Sequence, residues 1–390
     1  MRLAERQQRL DQTLLQFHSL WHPQPFRELR PAWVEQYPGL AEEVLALSDE
    51  ATIHLNDDTG AALELLAKYR SEIGEIASLA AVPRSQSRPL PGLDTFWDWE
   101  IPGRKRAQIE AFAAAANGQG KAVLDWCGGK GHLGRLLALA WKVPVHSLDF
   151  DATLCVEGEA LARRVGIKHA FVHADALQVE AWPQAGQHAV ALHACGELHR
   201  RLIRRGAQRG VSGLDIAPCC YYRGVDEYYQ PMSGPLQLQL SRDDTRLAVT
   251  ETVTAKPREA RLRDQALAWK LGFDAYRRQV TGLGYRTFKP VPDRWLRASF
   301  GEFMRHMVER EGLPALPGAS SAEFERAGWQ RQREVMRYSI VRHAFRRALE
   351  IWLVLDAAVH LEKSGYSVSL SCFCERTLTP RNLLISARLA

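Results

Sequence analysis

Apolar residues in the first eighty positions recur at helical spacing. They do so through RLDQTLLQFHSL, and LSDEATIHLN begins behind Ser48, a residue type that caps helices. The pattern predicts a helical N-terminal region over 1–95. It closes in a Pro-, Ser- and Arg-rich linker, VPRSQSRPLPGLD (82–94), and RAQIEAFAAAA then predicts a helix that stops at Asn117 and Gly118. From 121 onward short apolar runs alternate with helix-patterned segments: AVLDWC before HLGRLLALAW, VHSLDF before TLCVEGEALARRV, and then HAFVHA, HAVALHA before ELHRRLIRRGA, and GLDIAPCC. That alternation predicts five βα units on a parallel sheet, with 96–222 as the first part of the core. Residues 223–335 break the rhythm and read as an insertion carrying helices around REARLRDQALAWKLG and SFGEFMRHMVERE. The chain returns to the core over 336–390 with one long helix (339–363), a strand YSVSLSCFC and a last strand NLLISARL, which together predict a closing hairpin.

Composition narrows this picture. With 390 residues and 46% hydrophobic content the chain can bury one sizeable α/β core with attachments. Charges run through MRLAERQQRL, and Glu350 and Asp356 interrupt the greasiest helix, so neither a secretory signal nor a membrane span is expected. Seven cysteines without small-scaffold spacing read as reduced thiols, and a cytoplasmic location is expected. The formal net charge of +6 is concentrated in GRKR (103–106), RRLIRRGAQR (200–209), REARLR (258–263) and RHAFRR (342–347). Such basic patches suit RNA; arginine-rich helix faces that are simply solvated are the competing reading.

The sharpest local feature is KAVLDWCGGKGHLGRLLA, where a strand ends near Asp125, a turn holds Cys127, Gly128, Gly129 and Gly131, and a helix follows at once. Gly129, Gly131 and Gly134 also satisfy the dinucleotide fingerprint, with Asp149 at a fitting distance for a ribose. The glycines therefore do not separate NAD from S-adenosylmethionine. Asp125 does, because a carboxylate just before the turn attracts an ammonium and repels a pyrophosphate. An antiparallel last strand also fits the Rossmann-like class I methyltransferase sheet, so the expected cofactor is S-adenosylmethionine. Asp149 is expected on the ribose hydroxyls, with Asp151 as its rival, and Asp175 on the adenine amino group, with helix capping as the competing role.

The motifs DWCGGKGHLGR, ALHACGEL, DIAPCCYYRG followed by PMS, and TPRNLLISA occur in that order. Together they resemble the methyltransferase domain shared by the eukaryotic methyltransferase-like proteins known as ribosomal-RNA adenine dimethylase domain-containing and by the glutathione S-transferase C-terminal-domain-containing protein. The resemblance covers 120–222 and the last fifty or so residues, and implies a methyltransferase fold and cofactor. A weaker similarity runs to tRNA ribose 2′-O-methyltransferases, whose N-terminal zinc finger this sequence lacks. APCCYY has no Asn or Asp to hold an amine, which leaves adenine N6 chemistry with little support.

Ligands of doubly wound sheets sit beyond the carboxyl ends of the strands, which places His193, Cys195, Glu197, Cys219, Cys220 and Tyr221 around the transferred methyl, with His193 also against the cofactor. Three chemistries compete there. His193 or Glu197 acts as base or orienting group; a cysteine thiolate attacks a pyrimidine ring; or His193, Cys195, Cys219 and Cys220 hold a metal. Adjacent cysteines make poor chelates and no C-x-x-C occurs, so no metal site is expected. Cys372 and Cys374 read as packing. Trp269, Tyr276, Tyr285 and Trp295 either stack bases or close the insertion's own core. The expected protein is an S-adenosylmethionine-dependent methyltransferase acting on RNA, with the N-terminal helices and the insertion forming the acceptor site. A protein side-chain methyltransferase and a non-catalytic cofactor-binding scaffold are the alternatives.

Overall fold

The computed structural model describes residues 1–91, 97–250, 257–314 and 320–390. The end of the expected linker, 92–94, and two stretches of the insertion lie outside the described residues. Seven strands form one sheet: β1 (Val123–Trp126), β2 (Val145–Asp149), β3 (His169–His173), β4 (His188–Cys195), β5 (Gly213–Cys219), β6 (Tyr366–Cys372) and β7 (Leu383–Leu389). Their order is β3-β2-β1-β4-β5-β7-β6. β1 to β5 are parallel, and β7 runs antiparallel between β5 and β6. The strand order switches sides between β1 and β4, and ligands of doubly wound sheets bind beyond the carboxyl ends of the strands at such a switch point.

Apolar runs and helix caps account for these elements. All four residues of β1 are buried, as continuous apolar runs in a covered parallel sheet should be. Helices Gly103–Ala115 and His132–Trp141 share a core with the sheet in which Phe112, Leu136, Leu137, Val123, Val145 and Val190 meet. Helices Glu197–Arg209 and Arg346–Lys363 pack on one another and on strands β4 to β7. Asp215 ties the strands together: fully buried on β5, it accepts from His188 Nε2 (2.9 Å), Arg388 (2.9 Å), Ser386 Oγ (2.6 Å) and Asn117 N (3.0 Å). Burial alone would push its carboxyl up, and the bonds and charges of His188 and Arg388 outweigh that and leave it lowered.

Contacts divide the chain into two compact units. One comprises Met1–Leu15, Ile76–Thr254 and Arg346–Ala390 and contains the sheet; the other comprises Gln16–Glu75 and Ala255–Phe345. The N-terminal helices from 16 onward thus belong with the inserted segment rather than standing by themselves. Within the second unit the long helices Pro257–Thr281 and Ser321–His343 pack on one another, and Ser48 caps Asp49–Asp57 by accepting from Ala51 N (3.1 Å). Trp269 and Tyr276 are buried there among Phe273, Phe300, Phe303 and Met307. Trp295 stacks on His306 (4.8 Å) and Tyr285 packs on Phe26 and Phe288, so these aromatics close the unit's own core.

Three expectations change. The five βα units are incomplete, because β3 leads to β4 through a turn with no helix between them. The helix expected over 339–363 is two, Ser321–His343 and Arg346–Lys363, broken at Ala344–Phe345 where the units divide. Ile340, Val341, Ala344, Phe345, Ala348 and Leu349 are all buried, so the apolar period runs through the break without a Gly or Pro to mark it. The linker also begins as part of the fold: Ser85 N donates to Cys372 O (3.0 Å) and Cys372 N to Pro83 O (2.8 Å), which docks it beside β6. No helix among the described residues is long and apolar enough to cross a membrane.

Candidate active site

Asp125, the penultimate residue of β1, lies under the glycine turn, almost wholly buried at 2% exposure. One carboxylate oxygen accepts from Gly134 N (3.1 Å) and Ser147 Oγ (2.9 Å), and Ser147 in turn meets His169 Nε2 (2.8 Å). No protein donor reaches the other oxygen among the described residues. Burial lifts the Asp125 carboxyl to about 6 from its ordinary 3.8, against the lowering by Ser147 and Gly134. A Cβ on Gly128 would stand 2.5 Å from that carboxylate, so the turn can cross Asp125 only as glycine. Gly129, at φ 58°, has open space where a side chain would be, with Leu154 at 3.9 Å as the one atom near it. The turn is pinned by Gly128 N to Leu148 O (3.1 Å) and Gly131 N to Gly128 O (2.9 Å). Cys127, itself at φ 57°, lies within it, its thiol pushed up to about 12 by burial.

The two carboxylates of DFD divide their work. Asp149 accepts from Gly129 N (2.8 Å) and Asp151 N (3.1 Å), joining the end of β2 to the glycine turn. Asp151 caps helix Ala152–Val165, accepting from Thr153 N (2.9 Å) and Leu154 N (3.2 Å). Asp175, exposed beyond β3, spends one oxygen on Leu177 N (2.9 Å) and the other on Gln178 Nε2 (2.9 Å), within its own turn. Asp125, Asp149 and the glycine turn are thereby brought together, and Asp175 lies at the end of the neighbouring strand.

At the ends of β4 and β5 the backbone is irregular. The register of β4 on β5 shifts between Leu192 and Cys195, so that Cys195 rather than Ala194 faces Cys219. His193 within the bulge has φ 66°, and Cys220 just past β5 has φ 45°. Six non-glycine residues among those described have positive φ, and three of them, Cys127, His193 and Cys220, stand at the carboxyl ends of β1, β4 and β5. Left-handed non-glycine residues cluster at functional sites because the surroundings must hold them there. The thiols of Cys195 and Cys219 are 3.5 Å apart, and both donate to His193 O, at 3.7 and 3.3 Å. Hydrogen bonds from Cys195 and Cys219, and the charges of Arg223 and Arg381, lower the Cys220 thiol, while Cys219 is raised. The His193 imidazole is lowered to about 4 by burial, and its Nδ1 is buried without a partner.

Two other expected residues have structural partners. Glu197, opening helix Glu197–Arg209, is ion-paired to Arg200 (3.2 Å) and to Arg204. Tyr221 is buried, its ring edge-on to His199 (5.8 Å) and its hydroxyl toward Glu350 (3.5 Å), so its polar end belongs to the core beneath the site.

The basic helix 200–209 is largely compensated: Arg201 and Arg205 pair with Glu180, and Arg209 donates to the Glu180 carbonyl (2.6 Å). Its other face lines a cavity of about 520 Å³ with Arg200, Arg204, Arg223, Glu197, Asp226 and Tyr228 among its walls. Arg200 is 7% exposed, lies over the Tyr229 ring at 4.3 Å and keeps Nη1 unpartnered. Asp356 holds the cavity's following turn from below, accepting from Tyr229 Oη (2.8 Å), Met232 N (2.9 Å) and Ser233 N (2.8 Å). Sequence reasoning missed Ser147, His169, Arg223 and Asp356. Arg223 stands within the motif DIAPCCYYRG, and the PMS motif, whose backbone Asp356 grips, was the signal for Asp356.

Residues 104–224 match the model of a family described as a methyltransferase domain. No curated protein matches the chain. Among solved structures, TYW2 of M. jannaschii in complex with AdoMet is 14% identical over 30% of this chain and 52% of its own, with a TM-score of 0.26. TrmK of M. capricolum in complex with S-adenosyl-homocysteine is 11% identical over 28% and 50%, with a TM-score of 0.24. An rRNA methylase from Streptococcus thermophilus is 14% identical over 35% and 90%, with a TM-score of 0.24. The chain spans about half the length of the first two, 52% and 50%. The family match falls on the strands and turn that hold Asp125 and Asp149, and the sheet has the reversed last strand expected of the class. The family match supports an S-adenosylmethionine-dependent methyltransferase domain over residues 104–224.

Proposed function

We propose that this domain methylates RNA, with the cofactor along the carboxyl ends of β1 to β3 and the acceptor at the ends of β4 and β5. The observation that carries the cofactor's seat is the buried Asp125 carboxylate, one oxygen of which braces the glycine turn while the other is free of protein donors. That free oxygen suits the ammonium of the methionine moiety, and the open space at Gly129 suits the close approach of a ligand. In this reading Asp125, Cys127, Gly128, Gly129, Gly131 and His193 line the amino acid end. Asp149, already fixed to Gly129 N, has lone pairs left for ribose hydroxyls, and Asp175 would serve the adenine edge.

S-adenosylmethionine supplies an already activated methyl, so the protein's task is to align the acceptor and handle its proton. His193, neutral and with Nδ1 unpartnered, is the group we assign to the acceptor. Cys195, Cys219 and Cys220 form the wall beside it, Glu197 shapes the cavity between Arg200 and Arg204, and Tyr221 positions the turn from beneath. RNA is favoured by Arg223, which lines the cavity of about 520 Å³ without pairing to Glu197 as Arg200 and Arg204 do, and suits a phosphate beside a reacting nucleotide. The four ordered motifs support kinship with the methyltransferase-like proteins, and seven free cysteines suit a reducing cytoplasm.

Methyl transfer from tritiated cofactor into a cell lysate tests this. Label should enter material destroyed by RNase and resist protease. Label in protein would make the chain a side-chain methyltransferase, and binding without label a scaffold.

A further inference from the structure

We propose that Cys195, Cys219 and Cys220 bind a zinc ion through three thiolates, leaving a fourth coordination position open. The three sulfurs lie within 4.8 Å of one another, with Cys195 and Cys219 at 3.5 Å. A tetrahedral zinc with Zn–S bonds of about 2.3 Å separates its sulfurs by roughly 3.8 Å, inside that range. Small side-chain rotations therefore suffice to close the three thiols on one ion.

The objection to adjacent cysteines is geometric, and the backbone removes it. Consecutive side chains of a strand point to opposite faces, so Cys219 and Cys220 could not share a ligand if β5 simply continued. The left-handed turn at Cys220, φ 45°, ends that alternation and brings its thiol to the side of Cys219. On β4 the bulge between Leu192 and Cys195 moves Cys195 by one residue into register with Cys219. A left-handed non-glycine residue costs about 1–2 kcal/mol, and this site holds two, His193 and Cys220. Burying three small side chains requires neither. A disulfide between Cys195 and Cys219 would use the register and leave the turn at Cys220 unexplained.

The set also has the character of an accessible site. Cys195 and Cys220 are half-buried and Cys219 is buried, so an ion can enter from the strand ends. Among the described residues no histidine, carboxylate or further cysteine completes the group. Three protein ligands with an open position is the count of zinc sites that take water or a substrate atom, while closed structural sites have four. Each ligand thiol loses its proton on binding, and the three protons pass to the buffer.

Cobalt titration of the reduced full-length protein tests the site. One equivalent should produce thiolate-to-cobalt charge-transfer bands and the intense visible bands of a tetrahedral ion, both bleached by zinc. Cys195→Ser and Cys220→Ser should each weaken binding at least about tenfold, and Cys374→Ser should leave it unchanged. Failure of the wild-type protein to take up one cobalt, or binding unmoved by Cys220→Ser, overturns the assignment. Should the variants misfold, X-ray absorption of the zinc-loaded wild type decides: three sulfurs at about 2.3 Å support it and a first shell of nitrogen and oxygen alone refutes it. Cofactor and acceptor play no part in these readouts, so their outcome is separate from that of the RNA reading.

Discussion

The ends of β1 and β2 and the ends of β4 and β5 differ in which residues carry the backbone strain. At the first, Cys127 is left-handed but glycines carry most of the conformational demand: Gly128 clears Asp125, Gly129 and Gly131 take positive φ, and aspartates receive the freed N–H groups. At the second, His193 and Cys220 themselves take the left-handed conformation and keep their side chains. A cofactor edge needs backbone close to the ligand. An edge that presents histidine and thiols to the reaction cannot give those side chains up, and so accepts strain instead.

Perturbing one edge should leave the other's readout in place. The largest effect is expected from Asp356→Ala, which strips partners from Tyr229 and two backbone N–H groups beneath the acceptor cavity. It should cost about 3 kcal/mol or more, read as a lowered denaturation midpoint, with cofactor affinity by calorimetry changed less than about threefold. A matching fall in cofactor affinity would show that the two edges are not separable.

Asp125→Asn keeps the shape of the β1 edge and removes its charge. It should weaken S-adenosylmethionine about 10- to 100-fold, the size of a hydrogen bond to a charged group, with the thermal transition retained. Undiminished affinity would remove Asp125 from the cofactor's seat.

The pH dependence sharpens the same point. Because the Asp125 carboxyl is raised to about 6, it is charged at pH 7 and protonated at pH 5. Affinity for a cationic ligand should therefore hold near neutrality and fall up to about tenfold per unit below pH 6. The folded-state value lies above the ordinary 3.8, so for stability the sign is opposite. The unfavourable contribution of this group is fully present above about pH 6 and fades as pH falls toward 3.8. A flat affinity profile between pH 7 and 5 would contradict the assignment.

Smaller effects separate neighbours. Asp151→Ala should cost about 1 kcal/mol through the lost helix cap while cofactor affinity stays within about twofold; a drop like that of Asp125→Asn would give Asp151 a share of the ribose. Arg223→Ala, at the cavity mouth, should lower the slope of log RNA affinity against log salt by about one and affect all sequences alike. An unchanged slope would place the RNA backbone elsewhere.

Much of the cofactor edge was legible because its signals are local. A strand, an acid and closely spaced glycines lie within a dozen residues, and the strands up to β5 match within a residue or two, although no helix follows β3. The break at Ala344–Phe345 was not legible, since buried residues continue across it in period. Asp149 and Asp151 look equivalent in DFD until helix Ala152–Val165 claims one and Gly129 the other. The arginines of 200–209 read as one basic face, whereas Glu180, some twenty residues earlier, pairs with one side of that helix and the cavity opens on the other.

By itself the sequence determined the period of the sheet, the glycine turn and the acids that follow it, because each depends on residues close along the chain. The tertiary structure decided which acid serves which partner, how far burial lifts Asp125, and that three cysteines from two strands share one place. Those outcomes depend on register, on a bulge and on the sign of φ at single residues, which the pairing of distant strands sets and no local pattern records.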